Sequence, residues 1–183
     1  MLNWLKCLKS LNADKSYREK IFRLAKGKKD QLFYNSSPEH AKIVHLAIIQ
    51  NASRYVNILC SSMCSEISNN KEYCTSVDRF LSVPEHQMNI VFTDYDSSFH
   101  KKPIAGIFRR HKTNVTIKKF DGHILLDRNE VHFTISDDRA FRLENNIQEH
   151  IAYGNFNNVA VASSLNEKFN EVLNSDKTQP INI

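Results

Sequence analysis

The spacing of apolar residues alternates along the chain between a helical period and a strand period. Helical spacing runs through residues 14–29, with Tyr17, Ile21, Leu24 and Ala25 on one face. This pattern predicts an amphipathic helix that ends at Gly27. Short β-rich runs predict strands, and other stretches return to helical spacing. Predicted strands are Tyr55–Cys60, 88–93 and Val115–Phe120, and further helices are expected over 73–81, 103–111 and Val159–Leu173.

A second long helix is predicted from a start signal after residue 35. Ser37 can act as its N-cap, Pro38 suits the first helical position, and Glu39 places an acid in the first turn. Ala41, Val44, Ile48 and Ala52 then repeat at helical spacing, so the helix is expected to continue to about residue 53.

Two β-rich runs near the middle of the chain predict a β-hairpin. The runs 123–126 and 131–135 flank four polar residues, Asp127-Arg128-Asn129-Glu130. The order of helices and strands up to this point is typical of an α/β fold with right-handed crossovers. We expect a basic helical arm over 1–30, one α/β domain over 31–175 and a flexible polar tail over 176–183.

Charge is concentrated in two basic blocks. Residues 1–29 hold nine Lys or Arg against two acids, a net of +7, and residues 97–120 hold seven and no acid, again +7. The intervening and final segments are acidic, and the chain carries +5 overall. The blocks fit either solvated helix faces or a footprint for a polyanion such as nucleic acid. An amphipathic basic arm can also dock on its own domain or on a partner.

The composition argues against membrane-spanning, secreted and zinc-binding proteins. No run of about 18 uncharged apolar residues exists, so no membrane-spanning helix is expected. Lys6 and Lys9 interrupt the apolar N-terminus, which does not resemble a signal peptide. Four cysteines, Cys7, Cys60, Cys64 and Cys74, lack the paired spacing of a zinc site. We therefore expect a cytoplasmic protein with reduced thiols and neither metal nor other cofactor.

Four segments carry a family resemblance: the run HAKIVHLAIIQNASRYVNILCSS, the strand MNIVFTD, the strand VTIKKFDG leading to His123, and the closing helix NNVAVASSLNEKFNEVLNSD. Through these segments, residues 35–175 resemble half of a phospholipase D-like domain. The resemblance implies a mixed sheet flanked by helices, with a catalytic histidine at the start of a hairpin. The family pattern is HxK, an Asp after four residues, then Gly-Ser-x-x-Asn.

This chain departs from that pattern. Aligned at His123, Leu125 occupies the lysine position and Glu130 falls where the aspartate belongs, while Asp127 is the visible turn acid. Ser136 is the remnant of the later segment. The resemblance therefore implies a single, degenerate motif.

Active members of the family cleave phosphodiesters without metal. One histidine forms a phosphohistidine and a second protonates the leaving group, so a chain with one motif must form a homodimer. Here His123 is the candidate nucleophile and His132 a candidate acid or base. Lys118 or Lys119 could replace the missing lysine. The other candidate phosphate-binding residues are Lys101, Lys102, Arg109, Arg110 and Lys112.

Three functions fit these observations. The first is a non-catalytic accessory subunit that binds nucleic acid or a protein partner through the basic blocks. The second is a metal-independent, homodimeric nuclease that uses His123, of a toxin or antiphage type. The third is a purely protein-binding module that docks on a larger enzyme. Steep salt dependence of nucleic-acid binding would separate the first from the third.

Overall fold

The computed structural model describes residues 2–149 and 151–183, and the side chains from residue 13 onward. The side chain of Cys7 therefore lies outside the described part. The helices are α1 Leu2–Lys26, α2 Pro38–Asn51, α3 Ser65–Ser68, α4 Lys71–Leu81, α5 Pro103–Arg110 and α6 Val159–Leu173, with a 3₁₀ helix at Ser97–Lys101. The strands are β1 Phe33–Asn35, β2 Tyr55–Cys60, β3 Gln87–Phe92, β4 Val115–Phe120, β5 Leu125–Leu126, β6 Asn129–Glu130, β7 His132–Ser136, β8 Ala140–Asn146, β9 Ile151–Asn155 and β10 Thr178–Pro180.

A mixed sheet of eight strands forms the centre of the described molecule. Its order is β1-β9-β8-β7-β2-β3-β4-β10. Strands β2, β3 and β4 are parallel, and β7 runs antiparallel to β2. The predicted α/β fold with a mixed sheet flanked by helices is confirmed.

Helices cover both faces of this sheet. Helices α2, α4 and α5 bury one face, where Leu46, Val77 and Phe108 belong to one apolar cluster. Helix α6 covers the other face through Leu165 and Phe169. Ser37 caps α2 as predicted, since its hydroxyl accepts a hydrogen bond from the backbone of His40. No helix in the described part is both long and apolar enough to cross a membrane.

The C-terminal half of α1 docks on its own domain. Ile21, Leu24 and Ala25 are buried in a cluster that includes residues of α2 and β1. The Tyr17 ring stacks on the His40 ring with centroids 3.8 Å apart, and the Tyr17 hydroxyl donates to the Tyr34 carbonyl at 2.9 Å. Because the apolar stripe faces the domain, the side chains of Lys15, Lys20, Arg23 and Lys26 are exposed to solvent.

The hairpin predicted over 123–135 differs from the observed one. Strands β5 and β6 form a small separate hairpin, and Asp127 and Arg128 make its tight turn with φ of 49° and 67°. Strand β7 instead enters the large sheet between β2 and β8. All five residues of β7 are buried, and a strand buried on both faces belongs in the interior of a sheet.

The tail expected to be flexible also forms regular structure. Residues Thr178–Pro180 form β10, which pairs antiparallel with β4. Ile181 and Ile183 pack against the apolar cluster under α5. This pairing covers the hydrogen-bonding edge that β4 would otherwise expose.

Candidate functional site

A cluster of buried polar side chains lies at the carboxyl end of β2. His132 opens β7 immediately beside the last paired residues of β2. On the neighbouring strand β8, Glu144 lies directly opposite His132, and Arg142 lies opposite Thr134. Since side chains alternate along a strand, these four residues share one face of the sheet. That face is covered by α2, and all four side chains are buried.

Both ring nitrogens of His132 have hydrogen-bond partners. The backbone N–H of Ser61 donates to Nε2 at 3.0 Å, and Nδ1 lies 3.2 Å from Glu144 Oε2. An N–H donor fixes Nε2 as the acceptor, so the proton of the neutral ring sits on Nδ1 and is donated to Glu144. This arrangement holds His132 neutral and in one tautomer.

Arg142 and Glu144 form a buried ion pair beside His132. Arg142 Nη2 lies 2.9 Å from Glu144 Oε1, and Arg142 Nε donates to Asn35 Oδ1 at 3.0 Å. Burial alone would raise the pKa of Glu144, but the His132 hydrogen bond and the Arg142 charge together lower it to about 2. Glu144 is therefore ionised at neutral pH, and its charge cancels that of Arg142.

His45 of α2 completes the cluster. Its Nδ1 lies 3.4 Å from Thr134 Oγ1. Burial, reinforced by the positive charge of Arg142, lowers the pKa of His45 to about 3. His45 is consequently neutral at physiological pH, so it adds no positive charge to the cluster.

These polar groups form the floor of a cavity of about 290 Å³. The walls come from α2, from the loop after β2, and from helices α3 and α4. Its apolar lining includes Ala41, Ile58, Met63, Ile67 and Tyr73. The cavity thus combines a polar floor with mainly apolar sides, the usual character of a small-molecule site.

His123, the predicted nucleophile, lies elsewhere. Its side chain is 75% exposed, and Nδ1 is 3.0 Å from Glu130 Oε1 across the small β5–β6 hairpin. That hydrogen bond and the negative charge of Glu130 raise the pKa of His123. His123 does not line the cavity, whereas His132 does.

The remaining motif residues are dispersed. Asp127 is exposed in the β5–β6 turn, and Ser136 is buried at the end of β7 distant from His132. Lys118 donates to the Leu173 carbonyl at 2.9 Å on the α6 side of the sheet. Lys119 is exposed on β4, beside β10. Neither lysine lines the cavity, so the structure does not bring the predicted lysine and histidine together there.

The other predicted phosphate-binding residues do share one region of the surface. Lys101 and Lys102 lie at the end of the 3₁₀ helix, Arg109 and Arg110 end α5, and Lys112 follows. Lys101, Arg109, Arg110 and Lys112 are exposed. Lys102 instead donates to the Met63 carbonyl.

Neighbouring acids on α4 have basic side chains as partners. Asp78 lies 3.0 Å from Arg110 and 2.8 Å from His111, and Glu72 pairs with Arg18 of α1. We call the outer surface of α1, α4, α5 and the short segments on either side of α5 the basic helical face. Its exposed cations are Lys15, Lys20, Arg23, Lys26, Lys71, Arg79, Lys101, Arg109, Arg110 and Lys112.

The cysteines described by the structure are free thiols. Cys60 and Cys64 border the cavity, and Cys74 is buried. Burial raises the pKa of Cys60 to about 12, which makes it a poor nucleophile. Within the described residues, no group of three or more His, Cys, Asp or Glu side chains is placed to hold a metal ion.

Sequence reasoning missed the part played by His45, Thr134, Arg142 and Glu144. A signal was present, because polar residues alternate with apolar ones in HFTIS and AFRLE. Alternation alone usually indicates one solvated face. Here α2 covers that face, and only the tertiary structure reveals this.

Comparison with known proteins gives matches in structure alone. No protein-family model matches the chain, and no curated protein matches its sequence. TrmBL2, an archaeal chromatin protein with a novel mode of DNA binding, superposes with a TM-score of 0.55 and 14% identity. The match covers 95% of this chain but only 66% of TrmBL2, slightly less than two thirds.

Two further solved structures match over almost their full length. Nuc from Salmonella typhimurium, a phospholipase D family member, has a TM-score of 0.53 and 16% identity, over 84% of this chain and 97% of Nuc. NucT from Helicobacter pylori has a TM-score of 0.55 and 11% identity, over 84% of this chain and 99% of NucT. The chain therefore has the phospholipase D-like fold.

Proposed function

We propose that this chain is a non-catalytic domain of phospholipase D-like fold that binds nucleic acid through the basic helical face. The observation that carries the non-catalytic part is the hydrogen bond from Ser61 N–H to His132 Nε2. A nucleophilic histidine needs a free nitrogen lone pair to attack phosphorus. In His132 the backbone of Ser61 occupies that lone pair and Glu144 accepts the proton of the other nitrogen.

The charge of the cavity supports the same conclusion. His132 is the histidine that opens a hairpin of the large sheet, β7–β8, and Thr134 stands two residues later, where the family pattern has lysine. The cation beside it, Arg142, is paired with Glu144. A single hydrogen-bond donor directed at the charge that develops in the transition state can contribute about 10²–10³ in rate. The absence of the lysine alone would therefore strongly impair phosphodiester cleavage.

The basic helical face supports the nucleic-acid part of the proposal. Most of its cations come from the two basic blocks of the sequence, and the α4 acids Glu72 and Asp78 are paired with Arg18, Arg110 and His111. Clustered Lys and Arg on one surface are the usual electrostatic footprint for nucleic acid. The DNA-binding protein TrmBL2 has a similar fold, which is consistent with this use.

A second candidate is a metal-independent nuclease that acts as a homodimer through His123. The observation that favours it is the exposed His123–Glu130 pair. A carboxylate on Nδ1 orients a histidine for attack through its other nitrogen. A two-fold axis near the β5–β6 hairpin would then bring two such histidines together.

The experiment is a cleavage assay in excess EDTA with labelled single- and double-stranded DNA and RNA. It compares the wild type with His132→Ala and His123→Ala, and a gel-shift measurement at low salt follows binding. We expect binding without cleavage by all three proteins. Cleavage that His123→Ala abolishes would establish the second candidate, and cleavage that His132→Ala abolishes would contradict the inert role assigned to His132. Absence of binding at low salt would contradict the nucleic-acid part.

A further inference from the structure

We propose that the cavity above Arg142 and Glu144 binds a small uncharged ligand that has an apolar body and one hydrogen-bonding end. Ligand binding in this cavity does not depend on nucleic-acid binding by the basic helical face.

The cavity is small, and its sides are mainly apolar. A volume of about 290 Å³ would hold about ten water molecules at liquid density. It is at the lower end of ligand pockets, so the ligand is small. The sides include Ala41, Met63, Ile67 and Tyr73, which favour an apolar body over a cluster of water.

The charges on the floor of the cavity cancel. Arg142 and Glu144 pair at 2.9 Å and are both buried. His132 is neutral because Ser61 N–H donates to it, and the lowered pKa keeps His45 neutral. A buried anion in the cavity would lie near the Glu144 carboxylate, and a cation would lie near the Arg142 guanidinium. Either would lose hydration without a free countercharge.

The rim adds to this selectivity. Glu66 of α3 borders the cavity and is exposed, so its negative charge further disfavours anions while remaining hydrated itself. At the floor, Thr134 and the His132–Glu144–Arg142 cluster supply polar atoms that can orient a hydrogen-bonding group. An uncharged ligand with an amide- or hydroxyl-like end therefore fits these walls best.

The test uses three probes of nearly equal shape that differ in charge: benzamide, benzoate and benzamidinium. Binding to the full chain at pH 7 is followed by chemical-shift changes in ¹H–¹⁵N spectra. A probe of about nine non-hydrogen atoms with ordinary ligand efficiency has a Kd of about 1 mM. We expect benzamide to bind saturably, with shifts at residues around the cavity, and both ions to bind at least about tenfold more weakly. Equal or tighter binding of either ion, or no benzamide binding at these concentrations, would overturn the proposal.

A variant tests the charge argument within the same cavity. Glu144→Gln keeps the shape of the side chain but leaves the Arg142 charge uncompensated, so benzoate should become the preferred probe by about tenfold. Glu167→Gln, on an exposed position of α6, is the matched control and should leave the preference for benzamide unchanged. Retention of the benzamide preference by folded Glu144→Gln would contradict the charge argument. The comparison of probes on the wild type remains decisive if this variant does not fold.

Discussion

The backbone N–H of Ser61 points at Nε2 of His132, 3.0 Å away. Ser61 follows β2, whereas His132 begins β7, so the contact joins the two antiparallel strands at one end of their pairing. It makes His132 a structural acceptor that helps to hold the β2 loop. The same contact removes the lone pair that nucleophilic attack requires.

The protonation of the two histidines should differ measurably. Because the His123 ring is hydrogen-bonded to Glu130 and lies beside its negative charge, the pKa of His123 is raised above its ordinary value. Histidine ¹⁵N spectra over a pH titration should show this, and Glu130→Gln should lower the pKa of His123. At neutral pH the same spectra should show His132 protonated on Nδ1 alone. A protonated Nε2 in His132 would contradict the Ser61 hydrogen bond.

The ionised Glu144 side chain should make the free energy of unfolding decrease at low pH. Its folded-state pKa is lowered from 4.5 to about 2, so it contributes stability that is present above pH about 4.5 and is lost as the pH falls toward about 2. The shift corresponds to roughly 3–4 kcal/mol of unfolding free energy. Urea unfolding of Glu144→Gln between pH 7 and pH 2 should lack this component of the acid loss, whereas Glu167→Gln should retain it. Equal acid sensitivity of Glu144→Gln and wild type would contradict this role.

Asp137 should stabilise the start of β2. Its carboxylate accepts hydrogen bonds from the backbone N–H groups of Ser53, Arg54 and Tyr55 and from the Ser53 hydroxyl. Asp137→Asn replaces one acceptor oxygen with a donor. We expect the free energy of unfolding, measured by chemical denaturation, to fall by about 2 kcal/mol.

Asp127→Asn is a matched control for that change. Asp127 and Asp137 have similar positive φ values of 49° and 54°, which asparagine tolerates. Asp127, however, is exposed in the small hairpin. If Asp127→Asn lowered the free energy of unfolding as much as Asp137→Asn, the backbone conformation and not the hydrogen bonds of Asp137 would explain the loss.

Two glycine-to-alanine changes should have opposite signs. A Cβ at Gly154 would lie 2.4 Å from the Phe141 carbonyl oxygen and 2.5 Å from the Phe33 ring, so we expect a loss of at least about 1–3 kcal/mol. A Cβ at Gly106, within α5, meets nothing closer than 3.8 Å and should stabilise the protein by up to about 1 kcal/mol through helix propensity. Thermal unfolding of both variants measures this, and a neutral Gly154→Ala would contradict the close packing of β9.

Local signals were sufficient to predict most of the elements. The bounds of β2, β4 and α6 match the predictions, because their apolar periods and boundary residues lie within the segments themselves. The four-residue helix α3 was missed, since one turn has no measurable period. The strand β10 was also missed, because its stability comes from the edge of β4 and not from its own composition.

The residues of the site could not be predicted from local sequence patterns, because they are brought together by the pairing of strands. Alignment at His123 followed the order of residues along the chain, but of the two histidines in that region, His123 and His132, it is His132 that lines the cavity. The difference arises because β7 does not pair within the small β5–β6 hairpin but with β2 in the large sheet. The partner of a strand decides which side chains lie next to one another. Likewise, Glu144 and His132 come together only through the β7–β8 register.

The most direct test of the account is the salt dependence of binding to a labelled DNA duplex, measured by fluorescence anisotropy. Wild type is compared with the triple variant Lys101→Gln, Arg109→Gln, Lys112→Gln on the basic helical face. The matched control is Arg128→Gln, Lys168→Gln, Lys177→Gln, which removes three positive charges away from that face. We expect log Kobs to fall steeply with log salt, and the first variant to reduce the slope by about 3 while the control leaves it nearly unchanged. Equal effects of the two triple variants, or no salt dependence in the wild type, would contradict the assignment of nucleic-acid binding to this face.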